Sequence, residues 1–266
     1  MGAADSVRLD VTDGVATVTL AEPDVRNAFT RAVAAGVSDA FDRIEDRDDV
    51  RCVVVAGAGD AFSAGGDVQK MRERLDGDVA PHESVAELRR STSAAIARVA
   101  TTPVPTIAKV DGPAVGAGAN LAIACDVQLA SEDASIGFVF RQVGLSVDAG
   151  TSYLLPRVVG TNVAKELVFT GEVLDAERAS SLGLFNRVYA ADEFEAEVAA
   201  FTERVASGPT VALRHAKRLL DEGFEKPLER AVTDEATAQG VVFETDDHRE
   251  GVAAFFEGRD PEFEGR

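Results

Sequence analysis

Val7, Leu9 and Val11 alternate with polar residues, Asp13-Gly14 follows, and Ala16, Val18 and Leu20 alternate again. Alternation with period two around an Asp-Gly pair predicts a β-hairpin, because successive strand side chains point to opposite faces and Asp-Gly accepts the positive φ of a tight turn. Beyond Pro23, Thr30 is placed to cap a helix in which Val33, Val37, Phe41 and Ile44 share one face. Residues 50–56 are almost wholly apolar and are closed by Gly57 and Gly59, the pattern of a strand covered on both sides.

The alternation of strand and helix continues. Val85, Leu88, Ile96 and Val99 mark a second amphipathic helix; Pro103 and Pro105 lead into a strand over 106–110; Asp111-Gly112-Pro113 turns the chain. Residues 117–125 read as a short buried helix and 127–130 as another strand, so the fold class is α/β with layered strands and helices. From about residue 192 the pattern is helical only, over 194–205, 211–220, 228–243 and 246–256. This divides the chain into an α/β core, 1–191, and a helical region, 192–266. The last helices carry Phe243, Phe255 and Phe256 among many acidic residues; a neighbouring subunit or the chain's own core would serve equally to bury them.

Composition narrows the function. The 266 residues are 45% hydrophobic, enough for a sizeable core, and 27 basic against 46 acidic residues leave a net charge of −19. Such a charge repels polyphosphate backbones, and no basic stripe offsets it, so nucleic acid is not an expected partner. The longest uncharged stretch, between Asp111 and Asp126, is too short to span a bilayer, which needs about 20 apolar residues. No membrane association is expected, and residues 1–8 show no basic start and apolar run, so a cytoplasmic location is expected. Acidic clusters at 45–49, 193–197 and 246–250 and only five lysines fit a salt-rich cytoplasm, where charge repulsion is screened. Cys52 and Cys125 lie in apolar runs and read as buried thiols.

Two glycine-rich segments follow strands, residues 61–68 and 112–120. Neither has the Gly-Lys-Ser/Thr ending of a phosphate loop or the third glycine of a dinucleotide fingerprint. Where such a loop runs into a helix, free first-turn N–H groups can hold a negative oxygen, although packing alone also explains glycine-rich turns. Asp148 stands between an apolar segment and a helix start, where it serves either as an N-cap or as a partly desolvated base. His82, His215 and His248 show no metal spacing, are read as solvent-facing, and no Gly-x-Ser-x-Gly elbow accompanies them.

Taken in order, Arg26-Asn27-Ala28-Phe29, the segment from Phe62 to Val68, residues 111–126, residues 144–157 and the tail from Arg249 to Phe256 resemble the crotonase superfamily of enoyl-CoA hydratases and isomerases over essentially the whole chain. The resemblance implies a spiral of βαβ units followed by a C-terminal helical trimerisation region, assembled as a homotrimer or hexamer. It implies an acyl-CoA thioester substrate, with CoA as part of the substrate and no separate cofactor or metal. The matching positions put the oxyanion-hole N–H groups at Gly66 and Ala117, and Ala28, Ala64, Asp67, Val68, Ala114 and Gly116 along the CoA and acyl channel, largely through backbone. Arg26, Lys70 and Arg72 are candidates to meet the anionic CoA.

Where the family's hydratases carry two glutamates, this sequence has Asn120 and Phe140. Neither exchanges a proton usefully. Asp148 instead stands where those hydratases usually carry glycine, and the surrounding stretch resembles the branch containing 1,2-epoxyphenylacetyl-CoA isomerase, with Val147 where that branch commonly has proline. The expectation is an isomerase in which Asp148 shuttles a proton, with Asn120, Phe140 and Val143 lining the substrate site and Phe140 and Val143 keeping it apolar. The alternatives are an enoyl-CoA hydratase using Asp148 as its only carboxylate, and a catalytically silent CoA-binding subunit.

Overall fold

A computed structural model describes residues 6–75, 77 and 80–266. Residues 1–5, part of the segment read for a leader, lie outside the described residues. The hairpin forms where the alternation requires it: β1 (Val7–Thr12) pairs antiparallel with β2 (Val15–Leu20), turning through Asp13 and Gly14 at φ +49° and +78°. From β2 the sheet grows by parallel neighbours, β3 (Cys52–Gly57), β4 (Thr106–Val110), β6 (Val127–Ser131) and β9 (Arg187–Tyr189), in the order β1-β2-β3-β4-β6-β9. A smaller sheet of β5 (Pro113–Val115), β7 (Ser135–Gly137) and β8 (Val173–Asp175) leaves the main one just after β4. The three short strands β5, β7 and β8 have too few side chains to display a period, and sequence reading assigns none of them.

Helix α1 (Arg31–Glu45) starts at Thr30, whose Oγ1 accepts from Val33 N at 3.2 Å, and buries Val33, Val37, Phe41 and Ile44 against the sheet. Helix α2 (Val68–Leu75) follows the first glycine-rich segment. The single amphipathic helix expected around 85–99 is two helices, α3 (Pro81–Arg90) and α4 (Thr92–Thr101), parted at Ser91 (φ −113°, ψ −107°). Only α4 is a core helix, burying Ile96 and Val99, whereas Val85 and Leu88 of α3 are exposed. Helix α5 (Ala117–Ala124) is buried at every residue, in keeping with a sequence that is apolar apart from Asn120.

The remaining helices are α6 (Thr151–Thr170), broken at Gly160 (φ +77°), α7 (Ala176–Ser181), α8 (Phe194–Ala206), α9 (Thr210–Gly223), α10 (Leu228–Val242) and α11 (Asp246–Glu257). Helix α8 packs on the chain's own sheet, with Phe194, Val198 and Ala206 against Cys52, Val54, Ile107 and Leu129. Helices α9 to α11 behave differently: Leu220, Phe224, Leu228, Phe255 and Phe256 stay exposed, the last two at 81% and 83%. Helix α9 is tied to the sheet by Lys217, whose Nζ lies 2.8 Å from Asp126 Oδ2, while that oxygen also accepts from Thr106 N and Oγ1. The tail returns to the start of β3, where Arg51 donates to Gly208 O (2.7 Å), Thr210 Oγ1 (3.0 Å) and Phe263 O (3.1 Å). Among the described residues, no helix is long and apolar enough to cross a membrane.

Candidate active site

The site begins with Asn27, a buried asparagine to which the sequence reading gives a place in a motif but no role. Asn27 (φ +53°) donates through Nδ2 to Ala58 O and Ala61 O, both at 2.8 Å, and its Oδ1 accepts from Glu22 N at 3.0 Å. Its own carbonyl accepts from Ser63 Oγ at 2.7 Å. These bonds join the loop after the hairpin to the loop after β3 by satisfying backbone groups that would otherwise be buried unpaired. Asn and Asp are the residues other than glycine that tolerate left-handed backbone most readily, which is the signal that singles out Asn27. Arg26 N–H closes the preceding 3₁₀ turn, Arg26 O accepts from Ala64 N (2.8 Å), and Phe29 N donates to Gly65 O (2.6 Å).

The second junction joins the two glycine-rich loops. Ser63 N donates to Pro113 O at 3.1 Å and Val115 N to Ser63 O at 3.0 Å, so a short parallel bridge runs between Ser63 and Ala114. A Cβ on Gly118 would stand 2.4 Å from Ser63 O, so this close approach needs glycine. Gly66 is the last residue before Asp67, which caps α2: Lys70 N donates to Asp67 Oδ1 at 2.9 Å. Ala117 is the first residue of α5, after Gly116 (φ +54°). Among the described residues, neither the Gly66 N–H nor the Ala117 N–H donates to a loop carbonyl. Backbone donors on two bridged loops, one of them at a helix N-terminus, are of the kind that can hold an oxygen as it gains negative charge.

The carboxyl group comes from the loop before α6. Asp148 is half-buried, its Oδ1 is buried without a hydrogen-bond partner, and burial raises its pKa above the ordinary aspartate range. It is not the N-cap of the helix. That place belongs to Gly150 (φ +88°), and no side chain caps the first turn. The structural role weighed for Asp148 therefore falls away, and a desolvated, unpartnered carboxyl remains.

The other expected residues divide into those that shape the site and those that do not face it openly. Asn120 is fully buried on α5, with Nδ2 donating to Asp148 O (3.1 Å) and Oδ1 accepting from Thr151 Oγ1 (2.7 Å). Its amide is thus engaged within the protein, where direct substrate contact was expected. Phe140 is buried in the 3₁₀ turn Val139–Val143 and belongs to the apolar core that also includes Ala149 and Leu155. Val143, at the end of the same turn, is 55% exposed in the single chain, so of the two residues expected to keep the site apolar only Phe140 is enclosed. Ala114 is buried and Ala28 and Ala64 half-buried, while Val68 is exposed.

The basic candidates lie at the surface. Arg26 is exposed, 3.9 Å from Asp60; Lys70 pairs with Glu87; Arg72 is exposed. His82 is exposed as expected, but His215 and His248 are half-buried, the latter packed against the Phe243 ring at 5.2 Å. Both cysteines are buried, and burial pushes the Cys52 thiol up to about 12 and the Cys125 thiol higher still, so neither is a nucleophile at neutral pH. Among the described residues, no group of three or more His, Cys, Asp or Glu is placed to hold a metal ion.

Comparison with known proteins shows the family. The family described as enoyl-CoA hydratase/isomerase matches residues 10–266. The 1,2-epoxyphenylacetyl-CoA isomerase of Escherichia coli is 32% identical over 257 residues, 96% of this chain and 97% of that protein. The crotonyl-CoA hydratase of Syntrophomonas wolfei is 30% identical over 262 residues, 98% of each. The crystal structure of an enoyl-CoA hydratase from Mycobacterium smegmatis superposes with a TM-score of 0.89 at 32% identity, covering 97% of this chain and 98% of that one.

Proposed function

We propose that this chain, which belongs to the enoyl-CoA hydratase/isomerase family, is an enoyl-CoA isomerase that moves a double bond with a single carboxylate. The observation that carries the proposal is the Asp148 carboxyl: half-buried, without a side-chain partner, and opposed by no second carboxylate at Asn120 or Phe140. Hydration of a 2-enoyl thioester by two acid-base groups needs one to activate water and another to protonate carbon. Relocation of a double bond needs only one group, because the proton taken from C2 of a 3-enoyl thioester can be returned to C4.

In that reaction the Asp148 carboxylate removes the C2 proton and negative charge moves to the thioester oxygen. The N–H groups of Gly66 and Ala117 receive that oxygen, a contribution for which loss of one donor typically costs about 3 to 4 kcal/mol of transition-state stabilisation. The dienolate then collapses, taking the proton from Asp148 at C4 and leaving the double bond between C2 and C3. An elevated carboxyl pKa suits both halves, since the group must accept a proton from carbon and give it back. Exposed Arg26 is the basic group proposed to meet the CoA phosphates, Lys70 would join it only by leaving Glu87, and Ala28, Ala64, Asp67, Val68, Ala114 and Gly116 would line the channel.

The test uses purified protein in concentrated KCl with 3-enoyl-CoA and 2-enoyl-CoA offered separately. Isomerisation that is lost in folded Asp148→Asn supports the proposal. Efficient addition of water to 2-enoyl-CoA, with no isomerisation, replaces it by the hydratase reading that the Syntrophomonas relative's name favours. Neither activity, with acyl-CoA still bound, leaves a silent CoA-binding subunit.

A further inference from the structure

We infer that Asn120 is a positioning residue: its amide clamps the backbone that carries Asp148 in a strained conformation and thereby sets where the carboxyl group stands. The inference deepens the reading above and rests on Asp148 being the base. Its starting point is that no hydrogen bond holds Asp148 Oδ1. A carboxyl group without such a bond at its inner oxygen is located chiefly through its backbone.

That backbone is held at one atom. Asp148 O accepts from Asn120 Nδ2 (3.1 Å) and from Thr151 N (2.9 Å). A carbonyl only accepts, so the Asn120 atom facing it must be the amide nitrogen. Oδ1 then faces Thr151 Oγ1 at 2.7 Å, and the threonine must be the donor. The hydroxyl has one hydrogen, so its 2.8 Å approach to Asp148 O is the lesser contact. The orientation of every group in the clamp is therefore determined by chemistry.

The clamp holds something that would otherwise relax. Ala149, the next residue, is buried at φ +45°, and left-handed backbone costs a residue with a Cβ roughly 1 to 2 kcal/mol. Such strain persists only where neighbouring bonds over-determine it. Asn120 is also the fourth residue of α5, whose first residue is Ala117. One rigid helix thus presents both a proposed oxyanion donor and the anchor of the base, and fixes the separation between them. A glutamate at 120 offers a carbonyl no donor when ionised, so Asn120→Glu is expected to lower isomerisation instead of creating a hydratase.

The experiment measures kcat, KM and the pH midpoint of kcat with 3-enoyl-CoA for the full chain. Misplacement of a reacting group by about 1 Å costs roughly a hundredfold, so Asn120→Ala is expected to lose between about 10- and 100-fold in kcat, with KM changed by less than about twofold. Its pH midpoint should move down toward the ordinary aspartate value as the freed loop admits water. Adding Ala149→Gly, which makes positive φ free of strain, should recover several-fold of that loss, an outcome a merely structural role would not produce. Thr151→Ser should keep the wild-type behaviour and Thr151→Val should follow Asn120→Ala.

Wild-type kcat in Asn120→Ala, or a loss with an unmoved pH midpoint and no recovery in the double variant, overturns the inference. If Asn120→Ala does not fold, equal kcat and pH midpoint in Thr151→Val and Thr151→Ser overturn it instead. Activity in folded Asp148→Asn defeats the base assignment itself; an inactive Asp148→Asn beside a fully active Asn120→Ala defeats the clamp alone.

Discussion

Gly65 and Val115 touch so closely that a Cβ on Gly65 would lie 2.6 Å from the carbonyl oxygen of Val115, and Gly65 itself sits at φ +88°. Both facts exclude a side chain, and the contact holds the loop that carries Gly66 against the loop that leads into Ala117, the two proposed oxyanion donors. Gly65→Ala is therefore expected to shift the first loop off the second and to lower kcat about a hundredfold, by analogy with other small displacements of catalytic groups. Isomerase kinetics on protein that still shows a cooperative melt would check it; wild-type kcat would show that the two loops are not coupled.

A second expectation concerns pH. Burial raises the Asp148 carboxyl above the ordinary aspartate range, so between the unfolded and folded pKa values the native state binds more protons than the unfolded chain. Stability from this group is complete below the unfolded pKa and is lost as pH rises through the folded pKa. Asp148→Asn, which is neutral throughout, should melt higher than wild type at neutral pH, with the difference shrinking as pH falls into the carboxylate range. Activity runs the other way, since only the ionised base accepts a proton: kcat should rise with pH, with a midpoint above that of an ordinary aspartate. Parallel melts and pH-rate profiles would read both signs.

The acidic surface gives a third. With a net charge of −19, repulsion between like charges acts at low salt and is screened once the Debye length shrinks to about 3 Å, near 1 M salt. The melting temperature should climb steeply between dilute buffer and about 2 M KCl. A melting point that ignores the salt would dispose of the salt-adapted reading.

The junction between α9 and the sheet gives a fourth. The Lys217 side chain is 8% exposed and that of Asp126 28% exposed, so the pair is partly shielded from solvent. Lys217→Met leaves Asp126 with Thr106 but without its cation, and should cost about 2 kcal/mol, less than the full loss for a completely buried pair because water still reaches the aspartate. Urea unfolding would measure it; a change within error would reduce the pair to a spectator.

Long periodic segments were legible from sequence. The hairpin, α1, β4 and the last four helices appear within one to three residues of their expected bounds because each shows a full face of repeating apolar positions. The small sheet was not, since its three strands are three residues each and their pairing depends on distant segments. The division of 81–101 into two helices was hidden for a different reason: Val85 and Leu88 have helical spacing but stay exposed, outside the core that Ile96 and Val99 join. At the site, the motif order names Gly66, Ala117 and Asp148, the residues the proposal rests on, whereas it gives no sign that the Asn120 amide is engaged within the protein. A side-chain amide turned inward toward a carbonyl 28 residues away has no signature in local pattern.

Arg51 precedes β3 by one residue, yet its guanidinium is completed by Gly208, Thr210 and Phe263, the last of them 212 positions downstream. During synthesis none of these three acceptors exists until residue 208 is made, and the last only at residue 263. Closure of the sheet's outer surface is then a late event, and a nascent chain halted before residue 208 would present β3 with its α8-facing side bounded by an unfinished seam.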